Sequence, residues 1–301
     1  MPTLRRALIL PHGATPSDDI ALTAEAITRG FDAVWVGERT TATATPRLAA
    51  LAATTATIGL GAGLVPLNSR SVDHLEETLS TLSLLAPGRV GLAFALPTTL
   101  AGSARPSWSG HLAELSTLVR RAGIPPTAAV AEVSTATLAA EHVDRLVLRG
   151  ASVALTAEIT AALARREAPP QIEVWLDLAV GQGALDTLRP VVAERLAVPG
   201  VAGHATALLI ARRDYAGLQA DVESAYARGD LAEATRNVPD AFVEATCFTG
   251  GSEALTGRVR AYAQAGAAGV GVLAHGDEVH PPTSVIAAFA AAHDAADTDA
   301  A

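Results

Sequence analysis

The chain has 301 residues, half of them apolar, a net charge of -9, one cysteine and no lysine. That length buries a large core in one or two domains, and α/β barrels reach this size as one unit. Without lysine there is no Schiff-base chemistry and no Walker-type phosphate loop. No basic stripe is interleaved with aromatics, which argues against a nucleic-acid partner. The lone Cys247 allows neither an intrachain disulfide nor a cysteine zinc site, and it fits a reducing compartment.

The first strand is expected at Leu4–Leu10. Pro11-His12-Gly13 ends that apolar run too early for a secretory signal. Helix 1 follows over Ser17–Arg29, with Asp18 and Asp19 suited to its first turn and Gly30 to its end. Strand 2 is Asp32–Val36, closed by Gly37-Glu38-Arg39. A short helix from Pro46 to Thr54 leads into strand 3, Thr57–Val65, which contains Gly59, Gly61 and Gly63. Helix 3 covers Val72–Leu85, Pro87-Gly88 turns the chain, and strand 4 is Val90–Ala95.

Pro97–Ser109 reads as a polar loop, before helix 4 at His111–Ala122. Strand 5 (Thr127–Glu132), helix 5 (Thr135–His142), strand 6 (Asp144–Leu148), helix 6 (Thr156–Glu167) and strand 7 (Gln171–Val180) follow. Gly181-Gln182-Gly183 ends strand 7, and only helical patterns run from Ala184 to Thr246. A helix from Ser252 to Gly266, strand 8 at Val270–Ala274 and a helix at Ser284–Ala292 complete the series. Residues 1–295 read as a single domain and 296–301 as a fraying tail.

Eight short apolar runs alternating with helices are the pattern of a (β/α)8 barrel, whose chemistry sits on the loops after the strands. An open doubly wound sheet is the alternative. Strand 1, however, ends in Pro-His-Gly-Ala, without a dinucleotide fingerprint. No run reaches the roughly 18–20 apolar residues of a membrane span. A soluble, cytoplasmic protein without nucleic-acid or membrane partners is expected.

Three blocks in order, GFDAVWVGER, TATIGLGAGLVPLNSR and LLAPGRVGLAFA, resemble the bacterial luciferase-like superfamily of FMN-dependent monooxygenases and coenzyme F-420 (deazaflavin) dependent reductases. TLAAEHVDRLVL and the closing stretch VPDAFVEATCFTGGSEALTGRVRAYAQAGAAGVGVL extend the likeness, as does the helical insertion between strands 7 and 8. The resemblance implies a barrel with a flavin or deazaflavin ring in its mouth, a small organic substrate and a homodimer. It also implies a non-proline cis peptide on strand 3, within Gly61-Ala62-Gly63. Three features depart from the family: a shortened segment after strand 4 (Leu96–Pro126), Arg39 where histidine is common, and GLAFALP without the usual glycines.

Among candidate catalytic residues, His12 follows strand 1 and titrates near neutrality, which suits proton transfer. It reads equally as a loop histidine satisfied by backbone. Glu38 matches the family's glutamate near the ring, or else pairs with an arginine. Glu132 and Asp177 are carboxylates at the ends of apolar strands, expensive unless paired or functional. In strand 7, Glu173, Trp175 and Asp177 share the face expected to point inward, with an interior ion pair to arginine as the competing reading.

For the cofactor, Gly61, Ala62, Gly63 and Phe94 are candidates against the ring. Gly150, Ser152, Gly181, Gln182, Gly183 and His275 are candidates on the late loops, where small residues let backbone amides reach an anion. Each of those loops reads equally as an ordinary turn. His111, His142 and His293 read as surface residues, Arg89 as structural, and no set of residues has metal-ligand spacing. The leading expectation is a luciferase-like oxidoreductase using coenzyme F-420 or FMN, the compact segment after strand 4 favouring the deazaflavin. The alternative is a barrel without a redox cofactor, acting as an isomerase, cyclase or lyase, or as a non-catalytic partner subunit.

Overall fold

The structure, a computed structural model, describes residues 4–11, 14–37, 44–67, 71–96, 105–198 and 213–298. Its strands are β1 (Arg5–Leu10), β2 (Ala33–Val36), β3 (Gly59–Pro66), β4 (Val90–Ala95), β5 (Thr127–Val130), β6 (Arg145–Arg149), β7 (Gln171–Leu178) and β8 (Gly269–Ala274). All pair in parallel with their sequence neighbours, and β8 returns to β1, so the sheet closes. The helices up to the last mouth crossover are α1 (Pro16–Thr28), α2 (Ala44–Thr54), α3 (Val72–Leu85), α4 (Arg105–Arg121), α5 (Val133–Ala139), α6 (Val153–Leu163) and α7 (Ala184–Ala197). They are followed by α8 (Leu218–Ala227), α9 (Leu231–Arg236), α10 (Asp240–Thr246), α11 (Ser252–Gln264) and α12 (Pro282–Thr298).

Alternation along each strand separates two apolar layers. Leu8, Val34, Leu60, Leu92, Leu146, Val174 and Val272 face the helices. Ala7, Ile9, Ala33, Trp35, Ala93, Val147, Trp175 and Leu273 fill the barrel. Trp35 and Trp175 lie side by side, ring centroids 4.9 Å apart, and glycines on neighbouring strands make room for them. A Cβ on Gly61 would stand 2.2 Å from Trp35 Cε3, and one on Gly271 would stand 2.6 Å from Trp175 Cδ1. Beneath this pair, Glu173 pairs with Arg5 at 3.2 Å and accepts from Trp175 Nε1. The inward face expected of Glu173, Trp175 and Asp177 is therefore the one observed, with arginines on both carboxylates.

Local rules set many boundaries. Thr15 and Asp18 form a capping box at the start of α1. Asp19 lies in that first turn as expected, and it is buried and accepts from both Nε and Nη2 of Arg47 at 2.6 Å. Arg89 is structural as expected, donating to Thr55 and Ile58 below β3.

Several expectations change, and strand 5 ends at Val130 rather than Glu132. α4 begins at Arg105, inside the stretch read as a loop. β7 stops at Leu178. α12 runs on to Thr298, because its Ala-rich end keeps Ala292 and Ala296 packed on the core. His293 is not a surface residue but fully buried, since Val285, Phe289 and His293 share one face of that helix.

The chain between β7 and β8 leaves the ring. α7–α10 build a separate apolar cluster, with Leu188, Val192, Val222, Phe242 and Cys247 at its centre. It is α11 that returns to pack on α6, β8 and α12. Thr246-Cys247-Phe248 lies beside the end of β7: Phe248 N–H donates to Asp177 O, and Ala179 N–H donates to Phe248 O. Among the described residues, no helix is long and apolar enough to cross a membrane. Nor do three or more His, Cys, Asp or Glu side chains converge to hold a metal ion.

Candidate functional site

Three adjacent strand ends bring charged groups into one place. Asp177, near the end of β7, is fully buried. Arg149 is the last residue of β6 and His275 the first after β8, so they flank Asp177 from either side. His275 Nε2 lies 2.7 Å from Asp177 Oδ1, and Arg149 Nη2 lies 3.5 and 3.3 Å from the two carboxylate oxygens. A second guanidinium, that of Arg195 in α7, makes the closest contact of all with Asp177 Oδ2. Cys247 stands beside Arg195.

Burial pushes both Arg149 and Arg195 down to about 10, and Arg149 adds to the effect on Arg195, so both stay charged at neutral pH. His275 is pushed down to about 3, by burial first and then by Arg195 and Arg149. It is therefore neutral. A carboxylate partner requires the proton on Nε2, which leaves Nδ1 as an acceptor. With two guanidiniums and one carboxylate, the described part of the cluster carries an excess positive charge.

The structure thus brings together Asp177 and His275, and adds Arg149 and Arg195, which sequence reasoning passed over. Arg195 had a signal. With Leu188, Val192 and Leu196 it falls on one face of α7, an arginine inside an apolar stripe.

The other candidates are placed as follows. His12 and Glu38 lie outside the described residues. Glu132 precedes α5 and accepts from Ser134 Oγ at 2.5 Å. Ser152 caps α6, its hydroxyl accepting from Leu155 N–H. Gly150 turns the chain at φ +69° and donates its N–H to Trp175 O. Gly181 is covered by His280, while Gln182 and Gly183 are exposed.

On β3 and β4 the expectations need correction. Ala62 and Phe94 point to the helix layer, because inward and outward positions alternate and the small Ala93 takes the inner one. Gly61 faces inward, but Trp35 occupies the space in front of it. The non-proline cis peptide is present one bond further on, at Gly63–Leu64. The pairing of β3 with β4 shifts register between Ala62 and Val65, and Leu64 joins the interior cluster while Val65 faces the helices.

The upper barrel therefore has two halves. Leu64, Ala93, Ala95 and Ala129, from β3–β5, make an apolar and mostly small-side-chain wall. Arg149, Asp177 and His275, from β6–β8, make a charged one. The Trp35–Trp175 pair closes the floor between them.

Comparison with known proteins supports the fold. Residues 5–96 match the luciferase-like monooxygenase family. That span runs from β1 to just past β4, and the resemblance read from the sequence is borne out there. No curated protein sequence matches the chain. Solved structures match it from end to end. The coenzyme F420-dependent tetrahydromethanopterin reductase of Methanopyrus kandleri superposes with a TM-score of 0.77 at 14% identity, covering 96% of this chain and 97% of that one. An F420-dependent secondary alcohol dehydrogenase, solved with an F420-acetone adduct, gives 0.73 at 14% identity over 98% and 99%. The monooxygenase RslO1 of Streptomyces bottropensis gives 0.61 at 14% identity over 95% and 98%.

Proposed function

We propose that the chain is a deazaflavin-dependent oxidoreductase acting on a small organic substrate at the open end of the barrel. The observation that carries this reading is the whole-chain likeness to two F420-dependent enzymes, with TM-scores of 0.77 and 0.73 against 0.61 for the monooxygenase. When bound, a deazaflavin supplies hydride transfer. The protein's share is to position, to exclude water and to hold protons. Leu64, Ala95 and Ala129 offer the apolar wall for a ring, and the two tryptophans keep water from rising through the barrel. Asp177 fixes His275, whose Nδ1 is left to accept a hydrogen bond from a substrate hydroxyl. His12 and Glu38, which follow β1 and β2 in the sequence, are the further proton-transfer candidates.

The test is a titration of the purified protein with F420 and, separately, with FMN, followed by absorbance. F420 binding at micromolar concentration is expected. If only FMN binds, a monooxygenase replaces this reading. If neither binds, redox chemistry is abandoned in favour of a barrel working without the cofactor.

A further inference from the structure

The cluster at the ends of β6–β8 is unevenly satisfied. Asp177 spends its two oxygens on Arg195 and on His275 at 2.7 Å. Arg149 reaches the same carboxylate only at 3.3 and 3.5 Å, beyond the usual 2.7–2.9 Å of a charge-assisted bond. Its Nε is buried with no hydrogen-bond partner among the described residues. A guanidinium has five donors in a rigid fork, and a buried one left short of acceptors is costly. Arg195 is buried at 5% side-chain exposure, whereas Arg149 and His275 keep 14% and 21%. The under-used cation is thus on the accessible side of the cluster, beside a neutral imidazole that adds no negative charge. The two segments flanking β2 and preceding α4 that fall outside the described residues contain a single carboxylate, Glu38.

We propose that Arg149 anchors an oxyanion of the substrate, a carboxylate or phosphate group, in the charged half of the cup. Arg195 and Asp177 form the fixed base: Arg195 and His275 take the Asp177 oxygens closely, so Arg149, held to them only at 3.3 and 3.5 Å, keeps a donor for an oxygen of the incoming group. The substrate class that follows is a small anionic organic molecule whose reacting carbon is held toward the apolar half. This inference rests on the mouth being the working end of the barrel, and it is tested apart from any redox cofactor.

The probe is inorganic phosphate, titrated calorimetrically into cofactor-free protein against chloride at matched ionic strength, with thermal melts in parallel. Phosphate is expected to bind and raise the melting temperature. Arg149→Gln is expected to weaken phosphate binding roughly tenfold or more, the loss of one charge-assisted hydrogen bond. Should that variant fold poorly, Arg149→Lys, which keeps the charge but not the planar guanidinium, serves as the second probe and is expected to weaken phosphate binding as well. Repeating the titration with F420 or FMN at saturation separates the two sources of an oxyanion. Phosphate that still binds supports a substrate site, and phosphate that is displaced assigns Arg149 to the cofactor's own phosphate and overturns the proposal. No phosphate binding, or binding that Arg149→Gln leaves unchanged, or binding that appears only in Glu38→Gln, also overturns it. Phosphate binding without cofactor binding would leave this inference standing while the redox reading fell.

Discussion

Gly61→Ala tests how tightly the floor of the cup is built. The new Cβ would sit 2.2, 2.4 and 2.5 Å from three atoms of the Trp35 ring, where ordinary contact begins at 3.4 Å. The ring must retreat by roughly 1.2 Å, the overlap beyond normal van der Waals separation. Its retreat is limited: the Trp175 ring centroid lies 4.9 Å away, and even a Cβ on Gly91 would stand only 3.1 Å from Trp35 Cη2. Overpacking of this kind costs roughly 1–3 kcal/mol, and the rigid neighbours place this case near the upper figure. At roughly 2–4 °C per kcal/mol, the melting temperature should fall by about 6–12 °C. Thermal melts at one scan rate, followed by circular dichroism, measure it. Trp35→Leu completes a double-mutant cycle: alone it leaves a cavity and destabilises, but in the Gly61→Ala background it should cost far less. A Gly61→Ala protein that melts within about 1 °C of the parent, or two substitutions whose effects simply add, would refute the packing argument.

Two further predictions concern the charged half. Asp177→Asn leaves Arg149 and Arg195 buried without their carboxylate and should destabilise by about 3–5 kcal/mol. Arg195→Met in the same chain should recover part of that loss in thermal melts, and no recovery would mean the pair is not coupled. His275 sets a pH dependence. Unfolded, it takes a proton near pH 6.5, whereas folded it resists until about 3. Unfolding therefore takes up a proton in that window, and stability falls as pH drops through it, by up to about 1.4 kcal/mol per pH unit for one proton. Buried His293, also held below its ordinary value, pulls in the same direction. Urea midpoints between pH 7 and 5 should show a shallower slope in His275→Asn, and an unchanged slope would remove His275 from the account.

Most of the barrel was legible because strand and helix periods are local. The β7 pattern Glu173, Trp175, Asp177 even showed which side chains point inward. The glycines of β3 announced a close approach, but not what approaches: the partner of Gly61 is Trp35, a strand away in sequence and in contact only once the sheet curls. Phe94 was misplaced although the simple alternation with Ala93 and Ala95 puts it outside. The register shift at Gly63–Leu64 breaks that same alternation, so no period-two reading brings Leu64 inside. Arg195 was missed for a different reason. Its place in the apolar stripe of α7 shows locally that it is buried, but not that it meets Asp177, from which a turn and most of a helix separate it.

The paired indoles of Trp35 and Trp175 have a practical consequence. They are two of the chain's three tryptophans, and the third, Trp108, sits on α4. Ultraviolet emission from this molecule therefore originates largely in the bottom of the cup. Any yellow, flat chromophore settling a few ångströms above would drain that emission by energy transfer. Occupancy of the mouth can thus be followed without a label, in the native chain.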